Sequence, residues 1–375
     1  MRAAVRSVLA VIIAIFLVQA ANALQTSLLS LRAGMAGFSA VTIGIVMASY
    51  YVGYSLAPLT SHAVVGRLGH VRTMALGALA AAAVIALHPL LIGPVAWSLL
   101  RLTSGFVLSS LYISAESWIH ARAANEERGR VFSVYMVVQM IAMTGAQFLV
   151  TAADPRTVLP FLIASALFVA GSMPVVIARH TAPHRVPPEP FNIWRLFVVA
   201  PLGSIATVVG GVTWSIMFTF GPVYATGSGL SIAQEGIFMA AAMAGGALLQ
   251  FPLGWLSDRI GRRPAIALMS AAGIAVGAFG AVVDGQGAML EFAASALAGA
   301  AIFPMYAISA AHTNDAVAPQ NRVAAAAGLV LLFGLGSIAG PLISGGAVTA
   351  LGSSGYYIVL AIASALSLAA AAIAR

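Results

Sequence analysis

Lysine and cysteine are missing from this chain altogether, and charge of either sign is scarce: 18 basic residues, all arginine, and 10 acidic ones among 375. Without cysteine there are no disulfides, thiolate nucleophiles or cysteine-bound metals, and the redox compartment goes unread. Without lysine the G-x-x-x-x-G-K-[ST] loop of nucleotide-driven pumps cannot be built. Also lacking are H-E-x-x-H, paired acidic motifs for a metal-bound diphosphate, and an intramembrane nucleophile beside a base, so an integral-membrane enzyme has nothing to work with. No cofactor or metal is expected. The seven histidines lie at or near loops, with His62, His70, His120, His180, His184 and His312 on the cytoplasmic side, and are read as surface residues.

What is abundant is apolar surface. With 61% of residues hydrophobic and 7% charged, the chain lies far from the roughly quarter-charged soluble norm. Its apolar runs are long enough for the roughly 20 residues a helix needs to cross about 30 Å of hydrocarbon. Helices are demanded because lipid offers no partner for open backbone groups, and the alternating ten-residue strands of a β-barrel do not occur. The fold class is therefore an all-α integral membrane protein, with the lipid bilayer as its surroundings. A net charge of +8 could suggest nucleic acid. The charges are scattered between apolar spans, however, and form no continuous basic face, so no nucleic-acid partner is expected.

Twelve spans are predicted, at 7–31, 40–64, 73–93, 95–118, 131–150, 157–178, 196–221, 231–253, 264–283, 289–311, 323–343 and 355–374. With both termini cytoplasmic, fifteen of the eighteen arginines fall on the cytoplasmic side, Arg32 and Arg156 outside, and Arg101 within a span. That is the positive-inside pattern, and it supports twelve helices with both ends inside. A competing reading takes Arg2, Arg6, the apolar stretch after them and "ANA" at 21–23 as a cleavable signal peptide; it leaves eleven spans and spoils the repeat described next.

The polar stretch "ARHTAPHRVPPEPFN" at 178–192 carries four prolines at the midpoint and reads as a linker. It divides an N-terminal six-helix bundle, 1–178, from a cytoplasmic linker, 179–195, and a C-terminal six-helix bundle, 196–375. "GRLG" at 66–69 and "DRIG" at 258–261 are 192 residues apart, as are the two "RV" pairs at 130–131 and 322–323. Both pairs fall in loops of equivalent rank, so a six-plus-six duplication follows, the pattern of transporters built from repeats.

The segment "GWLSDRIGRRP" at 254–264 puts Gly254, Asp258, Arg259, Gly261, Arg262 and Arg263 in the loop between the second and third spans of the second half. This resembles the G-x-L-x-D-R-x-G-R-R loop signature of the major facilitator superfamily, and the topology resemblance covers essentially the whole chain. It implies two six-helix bundles related by pseudo-two-fold symmetry, and a proton-coupled secondary transporter of a small-molecule substrate working by alternating access as a monomer, in a bacterial inner membrane. The "ESW…N…RGRV…YM" string further resembles a bacterial branch of the superfamily called YcaD-like, which supplies no substrate. Physically the segment suits a latch, in which an Asp at a helix end caps a neighbouring helix and pairs with Arg. Topogenic charge alone is the plainer reading of its arginines. The first-half copy is degraded, with Gly66 where Asp would stand and Arg67 retained; Glu116, followed by Arg128 and Arg130, resembles the Glu and Arg-Gly pairs of the superfamily's sugar porters and offers a substitute charge partner.

Arg101 is the one basic residue placed in hydrocarbon, a functional hypothesis by default, with snorkelling to the outer interface as the alternative. "RLTSG" resembles the superfamily's Arg-x-x-x-Gly element of the fourth helix, which implies proton coupling through Arg101, with Glu116 a second titrating candidate. Glu235, Asp284 and Glu291, near outer helix ends, are read as solvated. The first, fourth, seventh and tenth helices line the cavity in this superfamily. The resemblance therefore offers Gln19, Asn22, Gln25, Arg101, Ser104, Tyr112, Trp214, Phe218 and Tyr306 for the substrate, although aromatics in apolar spans are more often packing. The set suits a small polar or amphipathic organic molecule, with Arg101 its one charge for an anionic group. A drug/proton antiporter is the nearest alternative, demoted because the fifth span lacks that class's Gly-Pro signature; a transport-inactive membrane sensor of the same fold stays open.

Overall fold

The computed structural model describes residues 2–122, 128–181, 194–318 and 322–373. Twelve α-helices occur among them: α1 Arg2–Met35, α2 Ala40–Leu87, α3 Pro94–Arg122, α4 Arg128–Leu149, α5 Leu159–Ile177, α6 Trp194–Val199, α7 Pro201–Gly227, α8 Ile232–Ile260, α9 Arg262–Val283, α10 Ala288–Ala316, α11 Arg322–Leu351 and α12 Gly355–Ile373. The all-helical membrane architecture is as expected. Most of the proline-rich linker, 182–193, lies outside the described residues. The chain forms two compact units, Met1–Arg32 with Ser49–Pro188, and Ala33–Ala48 with Glu189–Arg375.

Three spans differ from expectation for local reasons. The second and third run together as α2, broken at Gly69, whose φ of 78° and ψ of 165° are not helical. The seventh does not start at 196: the short α6 stops and α7 begins at Pro201, which has no N–H to continue the earlier helix and restricts Ala200 before it. Among the described residues, ten stretches are long and apolar enough to cross a membrane. Neither α3 nor α4 is among them. The first carries Arg101 and Glu116, and the uninterrupted apolar part of the second is only Val134–Leu149.

The duplication is written in the backbone. Gly261, between α8 and α9, has φ 92° and ψ 154°, nearly the values of Gly69, its repeat equivalent. This corner of conformational space is essentially closed to residues with a Cβ, so both halves turn the same corner with the same residue. A second correspondence lies in the spans. A Cβ on Gly53 of α2 would collide with the Leu102 carbonyl of α3, and one on Gly105 with the Tyr50 carbonyl. In the second unit a Cβ on Gly245 of α8 would strike the Ala296 carbonyl of α10, and one on Gly299 the Ala242 carbonyl. Tyr50 and Gly53 stand 192 residues before Ala242 and Gly245; the partner helix has gained two residues. Backbones in contact maximise dispersion where lipid supplies no hydrophobic drive between helices.

The faces turned outward are apolar. Leu99, Val198, Phe251 and Leu366 are all exposed, which is the surface that hydrocarbon requires.

Candidate functional site

In the first unit three polar side chains of α1, spaced along one face, reach three different partners. The Tyr112 hydroxyl of α3 donates to Gln19 Oε1 at 2.5 Å, Asn22 Nδ2 donates to the Tyr50 hydroxyl of α2 at 3.2 Å, and Gln25 Nε2 donates to Ser104 Oγ of α3 at 3.0 Å. Arg101 lies one turn from Ser104 on α3, and its guanidinium carbon sits 4.4 Å from the centre of the Tyr50 ring. Arg101, Ser104 and Gln25 are wholly buried. Arg101 therefore does not snorkel. A desolvated cation over an aromatic face gains about 2 kcal/mol, well short of what burying the charge costs, and its Nε and Nη1 have no hydrogen-bond partner. The predicted residues Gln19, Asn22, Gln25, Arg101, Ser104 and Tyr112 thus form one lattice. Tyr50, its hub, was missed; the run "SYYVGY" at 49–54 was the available signal.

In the second unit Trp214, Phe218 and Tyr306 come together around two rings that were not singled out, Phe303 and Phe333. Trp214 lies 4.8 Å from both Phe218 and Phe303, and Phe333 5.1 Å from Tyr306. Trp214 and Tyr306 keep part of their surface exposed.

The loop signature forms a charge network at the arginine-rich end of the same unit. Arg262 Nη1 lies 2.5 Å from Asp258 Oδ1, four residues earlier, while its Nε reaches Asp315 Oδ2 of α10 at 3.3 Å and Nη1 donates to Ser257 Oγ at 3.0 Å. Arg263 instead donates to the last carbonyls of α12, Ala371 at 2.8 Å and Ala372 at 3.2 Å, where a cation also meets the negative end of the helix dipole. Arg259 stacks 3.9 Å over the Trp255 ring. Gly254 has open space where a Cβ would go. The expected cap by Asp258 is not used: Gly261 stands at the N-cap of α9, with no side-chain cap.

In the first unit Glu116 accepts from the Tyr135 hydroxyl of α4 at 3.3 Å. Arg67 is exposed, and neither it nor Glu116 forms an ion pair with a described residue. Arg128 and Arg130 open α4, but their side chains lie outside the described residues.

Several residues read as solvated are not. Glu235 and Glu291 are wholly buried, and His88 and His70 are buried rather than on the surface. Glu291 accepts from the Tyr224 hydroxyl at 2.7 Å and the Gly285 N–H at 2.9 Å, so its burial is compensated. Asp284 accepts from Ser228, Ser353 and Ser354 at 2.6–2.7 Å. Partial burial pushes its carboxyl upward, but these hydroxyls together outweigh that and hold it below the usual value. His88 is fixed by Nδ1 at 2.8 Å from the Val84 carbonyl and packs on Trp97; His70 Nε2 is 3.2 Å from Ser117 Oγ. Proximity to a loop misled in each case, because helix ends here pack on one another.

Comparison with known proteins accounts for this arrangement. The model of the Major Facilitator Superfamily matches residues 11–247 and 204–375. The MFS-type transporter YcaD of Shigella flexneri, itself described as uncharacterized, is 27% identical over 347 residues, covering 90% of this chain and 88% of that one; YcaD of an Escherichia coli strain is likewise 27% identical over 344 residues, 90% and 87%. Among solved structures, the nucleoside transporter NupG superposes with a TM-score of 0.80 at 20% identity, covering 97% of each chain. An inward-facing, unoccupied bacterial homolog of the lysosomal transporter Spinster gives 0.77 at 15%, covering 96% of each. The overlapping matches, the glycine corners and the signature loop lead to one conclusion: this chain is a multi-pass membrane transporter belonging to the Major Facilitator Superfamily.

Proposed function

We propose that the protein is a proton-coupled secondary transporter of a small organic solute bearing an acidic group, working by alternating access in a bacterial inner membrane. The carrying observation is Arg101: buried, braced over Tyr50, and left with two guanidinium nitrogens, Nε and Nη1, that have no hydrogen-bond partner. A buried guanidinium is geometrically suited to a carboxylate or phosphate, and the surrounding amides and hydroxyls of Gln19, Asn22, Gln25, Ser104 and Tyr112 can rearrange around a polar ligand. The aromatic lattice of the second unit suits contact with an apolar or planar group.

In this reading the two six-helix halves, 1–178 and 196–375, rock about a midplane site with both termini cytoplasmic. Asp258, Arg262 and Asp315 stabilise the cytoplasm-closed state, while Arg263 holds α9 to α12 in every state. Their half-exposed pairs are worth at most about 1 kcal/mol each, which a gate that must reopen requires. Reconstitution in liposomes with an imposed pH gradient, followed by uptake of candidate organic acids, tests the reading. Uptake that collapses with the gradient supports it; transport indifferent to the gradient removes proton coupling.

A further inference from the structure

Three carboxyls lie at the end of the second unit opposite its arginines, and only one has no partner. Asp284 has three hydroxyl donors, and Glu291 has a tyrosine hydroxyl and a backbone N–H. Glu235, in the first turn of α8, is wholly buried, and neither Oε1 nor Oε2 has a hydrogen-bond partner. Its neighbours are committed elsewhere. Ser231 and Gln234 bond each other's backbone N–H in a capping box, at 3.3 and 2.9 Å, and Ser295 Oγ of α10 is spent on the Phe238 carbonyl at 2.7 Å.

Glu235 shares a face of α8 with Phe238, Ala242 and Gly246, which carry contacts to α7 and α10. The titratable groups described at this end of the second unit supply no cation: they are Tyr224 of α7, Glu291 of α10, Asp284 after α9, and Tyr356 and Tyr357 of α12, the last two with buried, unpartnered hydroxyls. Tyr306, His312 and Asp315 of α10 stand about 22 Å or more beyond Glu291 at 1.5 Å per residue. The arginines of α8 and α9 start at Arg259, about 36 Å along the helix at 1.5 Å per residue. The α8 dipole favours an anion here by about 0.3–1 kcal/mol, but an unpaired buried carboxylate costs several kcal/mol, so burial wins. A neutral acid avoids most of that cost.

We propose that Glu235 is a proton-carrying group of this transporter: its carboxyl holds a proton in this conformation and gives it to water when the start of α8 becomes hydrated. A bound metal cation fits less well, since no group of three or more acidic or histidine side chains that could hold one occurs among the described residues. The inference rests on the proton-coupled reading for its purpose, but proton occupancy is measurable without transport.

The experiment is infrared difference spectroscopy of the purified full-length protein, titrating pH in the presence of either sodium or choline chloride. The wild type is expected to show a protonated-carboxyl C=O band at neutral pH that shifts in D2O. Glu235→Gln is expected to lose it, Glu235→Asp to keep it at a shifted frequency, and Asp154→Asn, at an exposed carboxylate of the first unit, to leave it unchanged. The Asp variant keeps the test decisive should the Gln variant not fold. An unaltered band in Glu235→Gln or Glu235→Asp, or no such band in the wild type, overturns the proposal. Loss of the wild-type band on replacing choline by sodium overturns it in favour of a cation site. None of these results touches uptake itself, so failure here leaves the transport reading standing.

Discussion

Arg262 joins Asp258 of its own loop to Asp315 at the end of α10, so one guanidinium ties the signature loop to a helix 53 residues further on. Its neighbour Arg263 does different work, bonding the terminal carbonyls of α12. Adjacent arginines in one motif thus hold different partners, which the proposed gate reads as a switchable contact and a fixed one.

Removing the switchable contact is expected to alter transport and spare assembly. Asp258→Asn or Asp315→Asn should shift the equilibrium between closed and open states by up to about 1 kcal/mol, roughly fivefold, because the acids are more than half exposed. Membrane content by immunoblot should be normal and uptake reduced. Normal uptake in both variants would exclude the latch.

Arg263→Ala should instead lower stability. Two charge-assisted bonds to α12 carbonyls are lost from a partly exposed site, so a loss of about 1 kcal/mol is expected in thermal unfolding in detergent. An unchanged unfolding temperature would mean those bonds contribute nothing.

The glycines of the motif should separate cleanly by backbone geometry. Gly261→Ala and Gly69→Ala force a Cβ into a conformation that costs about 1–3 kcal/mol. Gly254→Ala meets open space and should cost no more than a few tenths of that. Detergent-resistant yield of the three variants checks the order; equal yields would refute the assignment of strain.

Asp284 should make stability sensitive to acid. Its folded-state value is depressed, so its contribution is fully present above the unfolded value of about 3.9 and is lost as pH falls through the lower, folded value. Thermal unfolding measured from pH 7 to pH 3 should show a steeper low-pH decline in the wild type than in Asp284→Asn. Parallel curves would show that the three serine hydroxyls do not favour the ionised form.

Much of this was legible in the sequence because lipid imposes a strict rule. Backbone groups must be satisfied within each helix, so apolar length marked most of the helices, and scattered arginine marked the polar stretches between them. The corner at Gly261 was visible as a motif, and its pairing with Gly69 as a repeat. Tyr50 was not legible, because its role depends on a crossing of α2 and α3 in which Gly53 and Gly105 let the backbones touch. Glu235 was misread for a related reason: hydropathy places a residue along a helix but does not say which face packs, and Phe238 and Ala242 turn its face inward.

The account stands or falls most directly on whether Arg101 reads an acidic group. Purified wild type, Arg101→Lys and Arg101→Leu would be screened for thermal stabilisation by organic acids and their neutral amides or esters. A ligand at about 100 times its dissociation constant adds roughly 2.7 kcal/mol if it binds only the folded state. The account predicts acids that stabilise the wild type, weaken in Arg101→Lys, vanish in Arg101→Leu and fail as neutral analogues. Equal stabilisation of wild type and Arg101→Leu by the same ligand, or a preference for the neutral analogue, would contradict it.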